Sequence, residues 1–284
     1  MAQGIVVGLD GTPQAEAAAA WAADEAVLRG TGVHLVHVKE PWPEGWPPPV
    51  GGAPDGARAE GLLTRTAAAL RERHAGLSVT TRLLDAGPVT GLVAAGEEGD
   101  LLVLGSRALG SVSGYLLGSV GLSVVGALDR PVVLVRAPGA TAPRGPVAVG
   151  VDLREEADAV LGFAFEEAER RQASLHVVHV QQLPLLTGLG PAMVPDVRPA
   201  VQAEIERSLD ALLEPWRTKY PAVTTASRVL IGSAGPELVR ASADAALVIV
   251  GRRTRRSPLG SRIGSVAHAV LHHGRPPVAV VPHD

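Results

Sequence analysis

LLVLGSRALGSVSGYLLGSV occupies residues 101–120, and LVIVGRRTRRSPLGSRIGSV occupies residues 247–266. Each opens on an unbroken aliphatic run, turns at a glycine and closes on Gly-Ser-Val, at Gly118-Ser119-Val120 and Gly264-Ser265-Val266. Within residues 105–120, four glycines and four serines crowd sixteen positions, so the chain writes one strand–loop–helix unit twice. Working outward, PVVLV (131–135) answers to PVAVV (277–281) at the same offset of 146 residues. IVVGLD (5–10) answers to VAVGVD (147–152), and HLVHV (34–38) to HVVHV (176–180), both at an offset of 142. A net insertion of four residues in the middle of the second copy reconciles the two offsets. Self-similarity of this kind marks a repeated structural unit. APGATAPRGP (137–146) has neither helical nor strand period and reads as a connection. The expected division is a first domain over 1–138, a linker over 139–145 and a second domain over 146–284.

Within each copy, short β-branched runs alternate with helical segments. In the first, a strand near 4–9 leads to a helix with Thr12 as N-cap, Pro13 as its first residue and Gly30 as its stop. VHLVHV (33–38), SVTTRLL (78–84), LLVLG (101–105) and PVVLV (131–135) are the remaining strands, with helices near 57–74, after Pro88 and from Gly118. Continuous apolar strands, in place of alternating ones, belong to parallel sheets covered on both faces. The expected fold is therefore α/β: two tandem doubly wound domains, each a five-stranded parallel sheet, with 3-2-1-4-5 taken as the strand order.

The 284 residues carry a net charge of -3, and 46% are hydrophobic. A pI near 6.3 argues against a generic nucleic-acid surface. With no cysteine there are no disulfides, thiolate nucleophiles or Cys-type zinc sites. MAQGIVVGLDG shows no basic region followed by a long apolar stretch, and no apolar run is long enough to cross a bilayer. The expectation is a cytoplasmic protein without nucleic-acid or membrane partners.

Ligands of open parallel sheets sit beyond the carboxyl ends of strands where the strand order reverses. In a 3-2-1-4-5 order, the loops after strands 1 and 4 flank that crevice. The first carries Asp10 or Asp152; the second carries the glycines. Glycine lets backbone amides approach an anion, and the Gly-Ser pairs open a helix whose first amides favour phosphate. Neither G-x-x-x-x-G-K-[ST] nor a G-x-G-x-x-G after strand 1 is present. A plain reading remains beside this one, because strand-to-helix turns use Gly and Ser for their own sake.

Gly105-Ser106-Arg107-Ala108, nine residues, then Gly118-Ser119 resembles the G-x2-G-x9-G-[ST] loop of the universal stress protein family. Gly251-Arg252-Arg253-Thr254, nine residues, then Gly264-Ser265 fits the same frame. The resemblance covers both halves and implies a tandem universal stress protein that binds ATP, alone or with Mg. It implies that Gly8, Leu9 and Asp10, and likewise Val151 and Asp152, meet the adenine and ribose, with Val38 and Val180 packed on the base. Leu104, Gly105, Ser106, Arg107, Gly118, Ser119 and Val120 would cradle ribose and phosphates. Their counterparts are Val250, Gly251, Arg252, Gly264, Ser265 and Val266. It further implies a regulatory stress-response role without catalysis beyond slow ATP hydrolysis, and a homodimer of tandem chains.

Ala108 and Thr254 replace the second glycine of the pattern, and Glu155 and Glu156 follow Asp152 closely. Alanine and threonine are expected to strain or redirect a loop that needs positive φ. Two alternatives therefore stay open: a nucleotide-free dimerising scaffold, and an ATP-dependent enzyme of the wider adenine-nucleotide-binding superfamily. Arg252, Arg253, Arg255 and Arg256 fit either a polyphosphate clamp or a solvated basic loop. The histidines of HLVHV and HVVHV, three apart on a strand, face opposite sides of the sheet and read as structural. His268, His272 and His273 read as the basic end of the last helix before Gly274, in preference to a metal site.

Overall fold

A computed structural model describes residues 4–41, 55–106, 118–136, 145–182, 197–254 and 263–284. The chain divides into two compact units, Met1–Ala142 and Pro143–Asp284. All but Gly145 of the expected linker lies outside the described residues, as does most of the Pro/Trp-rich stretch 41–56.

The first unit runs β1 (Ile5–Gly8), α1 (Pro13–Arg29), β2 (Val33–Lys39), α2 (Asp55–Arg73), β3 (Val79–Asp85), α3 (Pro88–Glu97), β4 (Leu101–Gly105), α4 (Ser119–Ala127) and β5 (Val132–Val135). Its strands lie in the order β3-β2-β1-β4-β5 and every pairing is parallel. The second unit repeats it as β6 (Val147–Gly150), α5 (Asp158–Arg170), β7 (Leu175–Gln181), α6 (Val197–Lys219), β8 (Thr225–Ile231), α7 (Ala234–Ala241), β9 (Leu247–Arg253), α8 (Ser265–His273) and β10 (Val278–His283). There the order is β10-β9-β6-β7-β8, again parallel throughout. In each unit one helix pair (α1 with α2, α5 with α6) covers the sheet apart from the other (α3 with α4, α7 with α8). The expected strand order holds in both.

The aliphatic runs earn their central places by burial: Ile5, Val7, Leu101, Leu102 and Val103 are closed to solvent, as are Val147, Val149, Val248 and Ile249. Helix α1 buries Ala15, Ala18, Ala19, Ala22, Ala23 and Ala26, a helical stripe of one-carbon side chains. Helix α5 puts Val160, Leu161 and Phe165 at the places of Ala18, Ala19 and Ala23, and Phe165 stacks on Trp216 of α6 at 5.9 Å and on Tyr220 just past its end at 5.5 Å. The four-residue insertion is one added helical turn, since α6 has 23 residues where α2 has 19.

Both units also bury a charged pair at matching places. Arg29 Nε donates to Glu25 Oε1 at 2.6 Å, with Glu25 at 1% exposure, and Arg171 pairs with the fully buried Glu167. A buried carboxylate is tolerated because the guanidinium beside it offsets its lost hydration. No helix among the described residues is long and apolar enough to cross a membrane.

Candidate functional site

In the first domain β1 pairs with β4 in the register Ile5–Leu101 to Gly8–Leu104, so both strands end at the same level. The chain continues from β1 into Leu9 and Asp10, and from β4 into Ser106. Leu9 is buried and tied twice to β2. Its amide donates to the Val36 carbonyl at 2.8 Å, and its own carbonyl accepts from His37 Nδ1 at 2.7 Å. That bond assigns the ring proton to Nδ1.

Asp10 is exposed and turns back on its own loop: its Oδ1 accepts from the Thr12 amide at 3.0 Å and the Thr12 hydroxyl at 2.5 Å. Thr12 in turn caps α1, accepting from the Ala15 amide at 3.3 Å. The expected N-cap, first-turn Pro13 and left-handed Gly30 are all in place. The carboxylate is thereby held at the mouth of the loop by the cap that starts the helix.

Opposite stands the end of β4. A Cβ on Gly105 would lie 2.5 Å from the backbone of Gln14 and 2.6 Å from that of Ala15. The glycine is therefore demanded by the close approach of α1, whatever else the loop does. Ser106 donates its amide to Val135 and is 3% exposed, and its Oγ has no hydrogen-bond partner among the described residues. An unpartnered buried hydroxyl is uncommon enough to need a reason. Arg107 and Ala108 lie outside the described residues. Past the loop, Gly118 is the extended N-cap of α4 at φ -59° with open space where a side chain would be. Ser119 is exposed and Val120 half-buried. The first amides of α4 have no acceptor within the helix. Val38 is half-buried, its methyl groups against Gly91 of α3.

The second domain repeats these parts and rearranges the mouth. Val151 is held as Leu9 is, its carbonyl accepting from His179 Nδ1 at 3.0 Å. Val180 is half-buried, Val250 buried, and Gly264 is an extended N-cap with open space beside it, followed by exposed Ser265 and half-buried Val266. Asp152, however, is engaged by Arg154, which donates from Nε at 3.0 Å and Nη2 at 2.8 Å. These hydrogen bonds hold the Asp152 carboxyl below the usual aspartate range, against a smaller opposing effect of burial.

Helix α5 starts at Asp158, so seven residues separate it from β6, where four separate α1 from β1. Strand β9 runs two residues past Gly251, with Arg252 paired to Pro282 and Arg253 to His283. Arg252 is thus a buried strand residue, 4% exposed. A Cβ on Gly251 would meet the His283 imidazole at 2.7 Å and Val160 at 3.2 Å, not helix backbone.

The strain expected at Thr254 is not found: Gln172 alone among the described non-glycine residues has positive φ. Thr254 instead closes the end of β9, its amide donating to the His283 carbonyl at 2.7 Å and its hydroxyl to Asp284 at 2.9 Å. Arg255 and Arg256 lie outside the described residues. His268 and His272 stack at 4.2 Å on the last helix, and Gly274 follows in extended rather than left-handed conformation.

In the sequence, His37 and His179 read as structural residues without a task. They clamp the residue just before each aspartate, and the repeated HLVHV/HVVHV, at the spacing of the aspartates themselves, was the available signal.

The model of the Universal stress protein family matches residues 1–136 and again 143–282. Universal stress protein Rv2005c of Mycobacterium tuberculosis is 34% identical over 292 residues, covering 98% of this chain and 96% of that protein. Universal stress protein Rv2623 of the same organism is 32% identical over 290 residues, with 98% and 95% covered. A solved universal stress protein from Archaeoglobus fulgidus superposes with a TM-score of 0.72 at 16% identity, over 99% of this chain and 98% of that one, which shows a shared fold. Two family-model matches, together spanning nearly the whole chain and coinciding with two copies of one sheet order, lead to one conclusion: the chain belongs to the universal stress protein family.

Proposed function

We propose that the first domain binds ATP between the loop after β1 and the loop after β4, and that the protein is a cytoplasmic stress regulator and not an enzyme. The observation that carries this reading is the β1–β4 register. It sets Leu9-Asp10 beside Gly105-Ser106 at the point where the strand order reverses. Half-buried Val38, with buried Leu9 behind the loop, gives an adenine an apolar side, and exposed Asp10 offers a carboxylate to the base edge or a ribose hydroxyl. The amides opening α4, with the open side of Gly118 and the Ser106 hydroxyl, suit phosphate oxygens. ATP would bring any Mg with it. In this reading tandem chains associate as homodimers.

The test is calorimetric titration of the full chain with ATP. Asp10→Ala removes a charged hydrogen bond worth roughly 1.5–3 kcal/mol, which weakens binding about tenfold or more. Gly118→Val fills the open space beside the first amides of α4 and weakens binding as well. Absence of ATP binding by the wild type would overturn the reading. Undiminished affinity in both variants would overturn the site.

A second reading, a nucleotide-free scaffold, is favoured for the second domain by one observation: Arg154 already engages Asp152 through both Nε and Nη2.

A further inference from the structure

The loop after β6 carries Glu155 at the place that Pro13 occupies in the first domain. Its carboxylate reaches across to the other side of the crevice. Oε1 lies 2.6 Å from Arg253 Nη2, at the end of β9, and Oε2 lies 3.7 Å from Nε2 of His283, at the end of β10. The loop that presents Glu155 is a hydrogen-bonded turn, the Glu155 amide donating to the Asp152 carbonyl at 3.1 Å. On the other side, Thr254 fastens the end of β9 to His283 and Asp284. The His283 ring is 8% exposed and covers Gly251. Two lips that stand apart in sequence are thus joined through one carboxylate.

We infer that the Glu155–Arg253 pair is a latch that closes the second domain against nucleotide phosphates, and that Glu155 thereby directs ATP to the first domain. The inference rests on the ATP reading for its ligand, but the latch itself is a contact that can be measured without one. A polyphosphate entering between these loops must take Arg253 from Glu155 and bring its own negative charge up to a carboxylate that stays nearby. Like charges at that separation repel, and the half-exposed position reduces this cost without removing it. The first domain cannot build the same latch, because proline has no charge to offer. Loss of a glycine from the loop pattern is shared by both halves, at Ala108 and Thr254; the latch is not shared.

Two measurements on the full chain test this. In an Asp10→Ala background, which weakens the first site about tenfold or more, ATP binding at the second site can be read beside it. Adding Glu155→Gln is expected to open a second-domain site that binds ATP about tenfold more tightly than the Asp10→Ala protein does, as removal of one close like charge allows. Hydrogen exchange without nucleotide reads the latch directly. In Glu155→Gln the amides of Glu155's position and of Thr254 exchange faster than in wild type, while those of β7 do not change. Two equal ATP sites in the wild type would overturn the inference, as would unchanged binding together with unchanged exchange in the Gln variant. If no form binds ATP, the ATP reading falls. Exchange then decides alone: faster exchange upholds the closed crevice, and unchanged exchange overturns it.

Discussion

The first turn of α1 and its missing counterpart in α5 show how one ancestral unit acquired two different mouths. In the first domain, Thr12 and Pro13 start the helix three residues after Asp10, and the backbone of Gln14 and Ala15 lies directly over Gly105. An alanine stripe permits that approach. In the second domain, Val160, Leu161 and Phe165 replace three of those alanines, α5 starts three residues later, and the His283 imidazole and the Val160 side chain stand where a Cβ on Gly251 would go. The volume is filled in both; in one by backbone, in the other by side chains. The difference teaches that a glycine kept in both copies of a motif need not serve the same purpose in each.

The largest effect expected from breaking this comparison comes from adding one methyl group at each glycine. Gly105→Ala forces a Cβ into helix backbone and is expected to cost about 3 kcal/mol, the upper end of ordinary overpacking. Gly251→Ala meets chiefly the far end of His283, which can swing away, and is expected to cost about 1 kcal/mol. Urea unfolding followed by hydrogen exchange in each domain reads the two separately. Equal costs would mean that α1 and α5 approach their sheets alike.

A smaller effect is expected at the helix starts. Thr12→Ala removes a side-chain cap and is expected to cost about 1 kcal/mol. Ala157, the N-cap of α5, has ψ near 0° and no cap bond, so Ala157→Ser is expected to change stability by less than about 0.5 kcal/mol. A gain in the second domain as large as the loss in the first would show that its helix start is not distinctively built.

The smallest effect concerns protonation. Asp152 has a depressed pKa in the folded state, so its contribution to stability is present above the ordinary aspartate value and is lost as pH falls through the lowered one. Arg154→Ala removes the principal cause, and the Asp152 carboxyl midpoint, followed by nuclear magnetic resonance, is expected to rise toward the ordinary value. An unmoved midpoint would show that Arg154 does not hold Asp152 in solution.

Repetition made the architecture legible. Strand runs recurring at offsets of 142 and 146 residues, caps such as Thr12 and Gly30, and the β-branched composition each state a local preference that the fold respects. The candidate site was legible in outline, as two loops at a switch point. It was not legible in the second domain, where GVDLREE shows two acids near a phosphate loop but not that one of them reaches Arg253. Nor did the sequence disclose the buried Glu25–Arg29 and Glu167–Arg171 pairs, since four-residue spacings of opposite charge are ordinary on exposed helix faces.

By itself the sequence determined the duplication, the parallel α/β class and the positions along the chain of the two mouth loops. These follow from periodicity, turn chemistry and burial of continuous aliphatic strands, which act over a few residues at a time. Tertiary structure alone decided what occupies each mouth. The approach of α1 to Gly105, the extension of β9 beside β10 and the reach of Glu155 to Arg253 depend on distances between segments up to about a hundred residues apart. Those distances are set by how side chains of different size fill the space between helix and sheet, and no local pattern encodes that sum.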